Sequence, residues 1–291
     1  MKTKLLSLTL LAAALIGPVT ALSAAQNAAS PVAVASVGAP DPAVEIKHLA
    51  ELFRAGDLVG LAQGLTPRSK WEATRAAFEA QRNKPTSEAE RARFADKMRQ
   101  MTAIDAVDQL MLEIEPKLAK ARAQMPGMLL MGFGAAQVAL NSSDTKLTDA
   151  QREVLRGALP GVQHWAATTD FLSADSMRRT LTLFTDAARR MGITDIDQFK
   201  ALPLEGVIER VSPMLTAAKE AARNYGLDLD AIAASLTVDV IERGQDTATV
   251  RTTVTLFGAP VWADHELVLV EGHWYGKEVL RDINDVTDLE G

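Results

Sequence analysis

The chain has no cysteine, no apolar run long enough to cross a bilayer, and none of the short signatures that mark common catalytic sites. Without a thiol there is no disulfide to staple a small core, no cysteine nucleophile and no cysteine-borne lipid anchor, so burial must supply the stability. Its two longest apolar runs, Leu5–Ile16 and Met128–Leu140, hold 12 and 13 residues, short of the roughly 20 that a spanning helix needs. The chain contains no HExxH or GxSxG motif, no phosphate-binding loop and no GxGxxG, so zinc hydrolysis, nucleophile-elbow chemistry and dinucleotide binding lack their usual hardware. Gly132-Phe-Gly134 sits inside an apolar helical run without a preceding strand and does not qualify. Only four histidines occur, His48, His164, His265 and His273. They show no ligand spacing, and neither a metal nor a cofactor is expected.

What is present reads as a globular protein, with 47% hydrophobic against 23% charged residues. Lys2 and Lys4 precede the Leu/Ala-rich run, and Gly17-Pro18 and the small residues Ser23-Ala24-Ala25 follow it. Residues 1–25 are therefore read as a signal peptide, cleaved after Ala24 or Ala25, and the mature chain as exported, either periplasmic or secreted. The formal charge is −6. Loss of the two leader lysines takes it to −8, which argues against a nucleic acid or an anionic membrane as the main partner.

Residues 26–42 are Ala/Ser/Val/Pro-rich and read as a flexible linker. From 43 to 234 the pattern is helical. Ser87 with Glu90, and Thr148 with Gln151, have capping-box spacing, and prolines mark helix starts or kinks. Within this region a faint duplication relates 45–127 to 145–226. Leu61-x3-Leu65 and Trp71-x-Ala-Thr74 recur as Leu155-x3-Leu159 and Trp165-x-Ala-Thr168, and Phe94-x-Asp-x2-Arg-x-Met101 recurs as Phe184-x-Asp-x2-Arg-x-Met191. The two tryptophans are expected to be core anchors, a ligand-stacking pair being the alternative. Charge is uneven: 68–99 holds nine basic and five acidic residues, and 264–290 eight acidic and two basic. Two solvated surfaces are the expectation, and docking of the acidic segment near the basic helices is the alternative.

Residues 124–143 carry no charge. Gly132, Gly134 and Ala136 suit a buried helix closely crossed by a neighbour, with membrane association as the alternative. Met128, Leu130, Met131 and Phe133 are the candidate lining of an apolar ligand pocket.

After Ala234 the apolar period changes to two. Leu236–Glu242, Thr247–Phe257, Val261–Val270 and His273–Val279 read as strands of a meander over 235–280. Turns are expected at 243–246, Gly258-Ala-Pro260 and Glu271-Gly272, with an acidic tail over 281–291. The fold class is thus mainly α with a C-terminal antiparallel β-meander (α+β). The segments VIERGQDTATVRTTVTLFGAPV and LVLVEGHWYGKEV, with a Gly-containing turn, a Thr/Val alternating strand and a Gly-x-Trp closing hairpin, resemble the end of an NTF2-like or cystatin-like α+β domain. That resemblance covers about the last sixty residues and implies a cone-shaped pocket with no particular chemistry.

Two functions remain in view. The leading expectation is a non-enzymatic envelope protein that binds an apolar small molecule or a protein partner. A hydrolase-like enzyme pairing His265 or His273 with Glu266 or Glu271 is the runner-up, and a purely structural interaction protein is the third reading.

Overall fold

A computed structural model describes residues 40–142, 145 and 147–281. The segment read as a signal peptide, all but the end of the expected linker, and the acidic segment beyond 281 lie outside the described residues. The protein is mainly α-helical and closes with a four-stranded antiparallel sheet.

Ten helices precede the sheet among the described residues: α1 (Pro42–Ala55), α2 (Leu58–Gly64), α3 (Arg68–Arg82), α4 (Glu88–Thr102), α5 (Ala106–Asn141), α6 (Asp149–Thr168), α7 (Ala174–Met191), α8 (Ile196–Lys200), α9 (Leu204–Asn224) and α10 (Leu229–Ala234). Their starts follow from local chemistry. Asp41 accepts from the Ala43 amide at 2.9 Å ahead of a proline at the first helical position, and both expected capping boxes form, at Ser87/Glu90 and Thr148/Gln151. Gly56 and Gly192 end α1 and α7 in the left-handed conformation. Pro116 and Pro126 lie within α5, Pro160 within α6 and Pro213 within α9, where each removes one backbone hydrogen bond without ending its helix.

The strands are β1 (Thr237–Arg243), β2 (Thr247–Leu256), β3 (Ala259–Val270) and β4 (His273–Gly276), in the spatial order β1-β2-β3-β4. Three details differ from the sequence expectation. The second turn is Phe257-Gly258 rather than Gly258-Ala-Pro260: both residues have positive φ, 51° and 80°, which is the two-residue hairpin geometry, and Ala259 and Pro260 are released into β3. Ile241 is the extra residue of a bulge, because Val240 pairs with Val250 and Glu242 with Thr249. The fourth strand stops at Gly276, and residues 277–281 turn helical, with Val279 folded back over Gly276.

The sheet buries one face. Val238, Ala248, Val250, Leu267 and Trp274 pack with Ala43 of α1, and Ile46 adds to the edge. The other end of α1 joins a second cluster, in which Phe53 meets Leu61, Leu215 and Ala233. One helix thereby belongs to both cores. The end of the linker takes part as well: the carbonyl of Pro40 accepts from the Trp274 indole at 2.7 Å and from Arg243 at 3.3 Å.

Of the two tryptophans of the suggested duplication, Trp71 is buried and Trp165 half-buried. Trp71 is 8% exposed and donates its indole N–H to Glu205 at 3.2 Å. Trp165 donates to the carbonyl of Tyr225, stacks on Phe257 at 5.0 Å and meets Phe171 edge-on at 4.9 Å, which ties α6 to the β2–β3 hairpin. The surrounding helices differ, because Leu61 and Leu65 are separated from Trp71 by the α2–α3 break at Pro67, whereas Leu155, Leu159 and Trp165 share α6.

Candidate functional site

The four candidate acid–base residues each find a separate partner. His265 lies on the α1-facing side of β3 opposite Val250, and its Nε2 is 2.9 Å from the Thr252 hydroxyl. Burial holds its pKa below the ordinary histidine value, outweighing the opposite pull of Asp264 and Glu278. The ring is therefore neutral at neutral pH. On acidification below about 6.5, the ordinary value, the unfolded chain takes up a proton that the fold resists, so this group costs stability as the pH falls.

Glu266 points from the opposite face to Lys277, at 2.6 Å. Glu271, in the last turn of the sheet, accepts the Ser69 amide on both oxygens at 3.3 Å, and so caps the start of α3 from 202 residues away. The Ser69 hydrogen bonds hold its carboxyl below the usual range. Glu271 and Ser69 both remain exposed, so this single contact from the acidic segment sits on a solvated surface, where the first-turn amides of the basic helix attract a carboxylate. His273 pairs across the turn with Val270, as the register requires, but its Nδ1 contacts Glu45 of α1 at 2.7 Å. Glu45 uses its second oxygen to accept the Trp274 amide at 2.6 Å.

A histidine–carboxylate contact therefore exists, but it is formed by Glu45, not by Glu266 or Glu271. The His273 side chain is 64% exposed, and the contact fastens α1 to β4. An open cleft of about 370 Å³ is lined by Arg190, Leu202, Gly206, Glu209, Arg210 and Pro213. None of the four candidate residues lines it. Among the described residues no group of His, Asp and Glu side chains is arranged to hold a metal ion.

The uncharged segment presents a different picture. In α5 the positions Val107, Met111, Ile114, Leu118, Ala121, Met125, Leu129, Phe133, Ala136 and Leu140 recur every three or four residues and are buried or half-buried, so one stripe faces the body and α6. The expectation of a buried helix closely crossed by a neighbour is corrected for the rest of its circumference. Met128 is 64% exposed, Leu130 78%, Met131 75% and Val138 70%. A Cβ added at Gly127, Gly132 or Gly134 would meet nothing within 4 Å. The physical reason is geometric: α5 runs for 36 residues, about 54 Å, and α6 supports only one side of its final turns.

Of the four candidate ligand residues, Phe133 is half-buried while Met128, Leu130 and Met131 point outward. Beside them lies an open apolar groove of about 270 Å³ between α5 and α6, bounded by Ala136, Ala139, Leu140 and Leu147 from one side and Leu155, Ala158, Leu159 and Val162 from the other. Ala136, Leu155 and Leu159 stand out in the sequence for other reasons, and none of the eight does so as the lining of a groove. Their signal is the helical spacing of Leu155, Ala158, Leu159 and Val162, which identifies an apolar face but not what covers it. Arg156 and Arg152 close the far end by donating to the carbonyls of Leu140 and Leu147, each at 3.1 Å. We refer to α6 and the final half of α5 as the arm. No helix among the described residues is long and apolar enough to cross a membrane.

No known family, curated protein or solved structure matches the chain.

Proposed function

We propose that this is an exported, non-catalytic binding protein whose arm engages an apolar surface in the cell envelope. One observation carries the reading: four large apolar side chains, Met128, Leu130, Met131 and Val138, stand 64–78% exposed on a stretch of helix without a single charge. Scattered exposed apolar residues are ordinary, but a contiguous apolar patch marks an interaction site. The groove favours a protein over a small molecule as the occupant. It is open, and its volume of about 270 Å³ is below the roughly 300–1,000 Å³ of drug-sized ligand pockets. The outward side chains beside it are also convex, and a small molecule has no way to enclose them.

Native mass spectrometry of protein purified from its own cells tests this reading. The wild type is expected to carry mass beyond a single chain, and Leu130→Glu/Met131→Glu is expected to lose it while keeping the helical circular dichroism signal. A bare single chain in both proteins would contradict the proposal.

A further inference from the structure

We infer that the occupant of the arm is a second copy of this chain, the two arms packing as a four-helix bundle; the inference rests on the binding role proposed above. The outward face of α5 carries a seam. Met128, Met131, Ala135 and Val138 are all exposed and are separated by three, four and three residues, the spacing at which a helix presents one continuous line of knobs to another helix. Next to this ridge lies the groove, whose floor includes the small side chains Ala136, Ala139 and Ala158. The ridge of one arm has the chemistry and the spacing that the groove of another accepts. Because both features belong to the same arm, one two-fold axis seats each ridge in the partner's groove, and the contact is closed rather than open-ended. Helical hairpins that cannot cover their own apolar faces reach a stable arrangement by pairing in this way.

Charge does not oppose this occupant at the arm. Each chain has a net charge of −6, so most encounters between copies are repulsive. The segment 124–143 is the exception, because it is uncharged, and two copies meet there without like-charge cost. The size is also adequate. The last 18 residues of α5 span about 27 Å at a width of about 10 Å, and with a similar strip of α6 the paired arms bury about 1,000 Å² in total, the lower bound for a specific interface. Gly127, Gly132 and Gly134 leave room for close approach.

The absence of cysteine gives a clean background for the test. Single substitutions Met128→Cys, Met131→Cys, Ala135→Cys and Val138→Cys in the full chain, with Gln245→Cys at the exposed β1–β2 turn as control, are oxidised mildly and compared by non-reducing electrophoresis. Their masses are read by sedimentation alongside wild type and Met131→Glu. Expected results are a wild type of twice the monomer mass, disulfide-linked dimers from at least one seam position and none from the control, and a monomeric Met131→Glu with unchanged circular dichroism. A monomeric wild type overturns the inference, as does a dimer that survives Met131→Glu and links from none of the seam positions. If that monomeric wild type still carries another molecule that Met131→Glu releases, only the second-copy assignment fails; if it carries nothing, the binding role fails with it.

Discussion

Lys219→Ala is expected to lower the free energy of unfolding by about 3 kcal/mol in urea denaturation, at the lower end of the range for breaking a buried ion pair. Lys219 is only 6% exposed, an unusual place for an ammonium group, and its surroundings explain how it is tolerated. Its Nζ donates to the carbonyls of Phe53 at 2.6 Å and Arg54 at 3.0 Å, at the C-terminal end of α1, where helical carbonyls lack partners and the dipole favours a cation. Asp230 of α10 neutralises it at 2.6 Å, and the Phe53 ring lies beneath it at 4.5 Å. One side chain of α9 thus joins the ends of α1 and α10. Removing it takes the side-chain donor from the Arg54 carbonyl and the nearer cation from Asp230; the Phe53 carbonyl keeps the Gly56 amide at 3.0 Å, and Asp230 keeps Arg223 at 3.5 Å and is one-third exposed, which limits the loss. A loss under about 1 kcal/mol, the size of one ordinary hydrogen bond, would show that water replaces the ammonium and that the junction is held by apolar contacts alone.

Trp274→Ala has a comparable effect, about 3–5 kcal/mol, through a different mechanism. The ring is 4% exposed and fills the space between the sheet and α1, against Ala43, Val250 and Leu267. Its indole also holds the carbonyl of Pro40, and Arg243 stands over the ring at 5.7 Å. Trp274→Phe separates the two contributions. It retains most of the packing and loses the Pro40 bond, so it is expected to cost roughly 1 kcal/mol for the lost hydrogen bond plus a smaller packing term. Equal losses for Ala and Phe in thermal or urea unfolding would assign the tryptophan's role to the hydrogen bond rather than to the core.

The helices and the meander were readable in the sequence because their signals are local. Capping boxes at Ser87 and Thr148 act within three residues, and the alternation of Ala248, Val250 and Val254 against Thr249, Arg251 and Thr253 is a period that only a half-buried strand needs. The turn at Phe257-Gly258 starts one residue and ends two residues earlier than the sequence suggests, because Pro260 resembles a turn former, whereas positive φ at 257 and 258 already completes the reversal. The candidate site was much less legible. Glu271 capping α3 and Glu45 meeting His273 are contacts across 202 and 228 residues, and no spacing rule reaches that far. The uncharged run of α5 was recognised as unusual, but composition cannot distinguish a helix buried within its own chain from one left uncovered by it. What decides is where α6 ends and how far α5 extends beyond its support.

Methionine oxidation provides the most direct test that the apolar face of the arm is covered by something outside the chain. With dilute peroxide, Met131 and Met128 are expected to react readily in dilute purified protein and slowly in concentrated protein or intact cells, while buried Met111, 3% exposed, stays slow throughout. Fast oxidation of Met131 under every condition would mean that nothing covers the arm, and slow oxidation in protein that sedimentation shows to be a bare single chain would place that face inside the fold; either result contradicts the account.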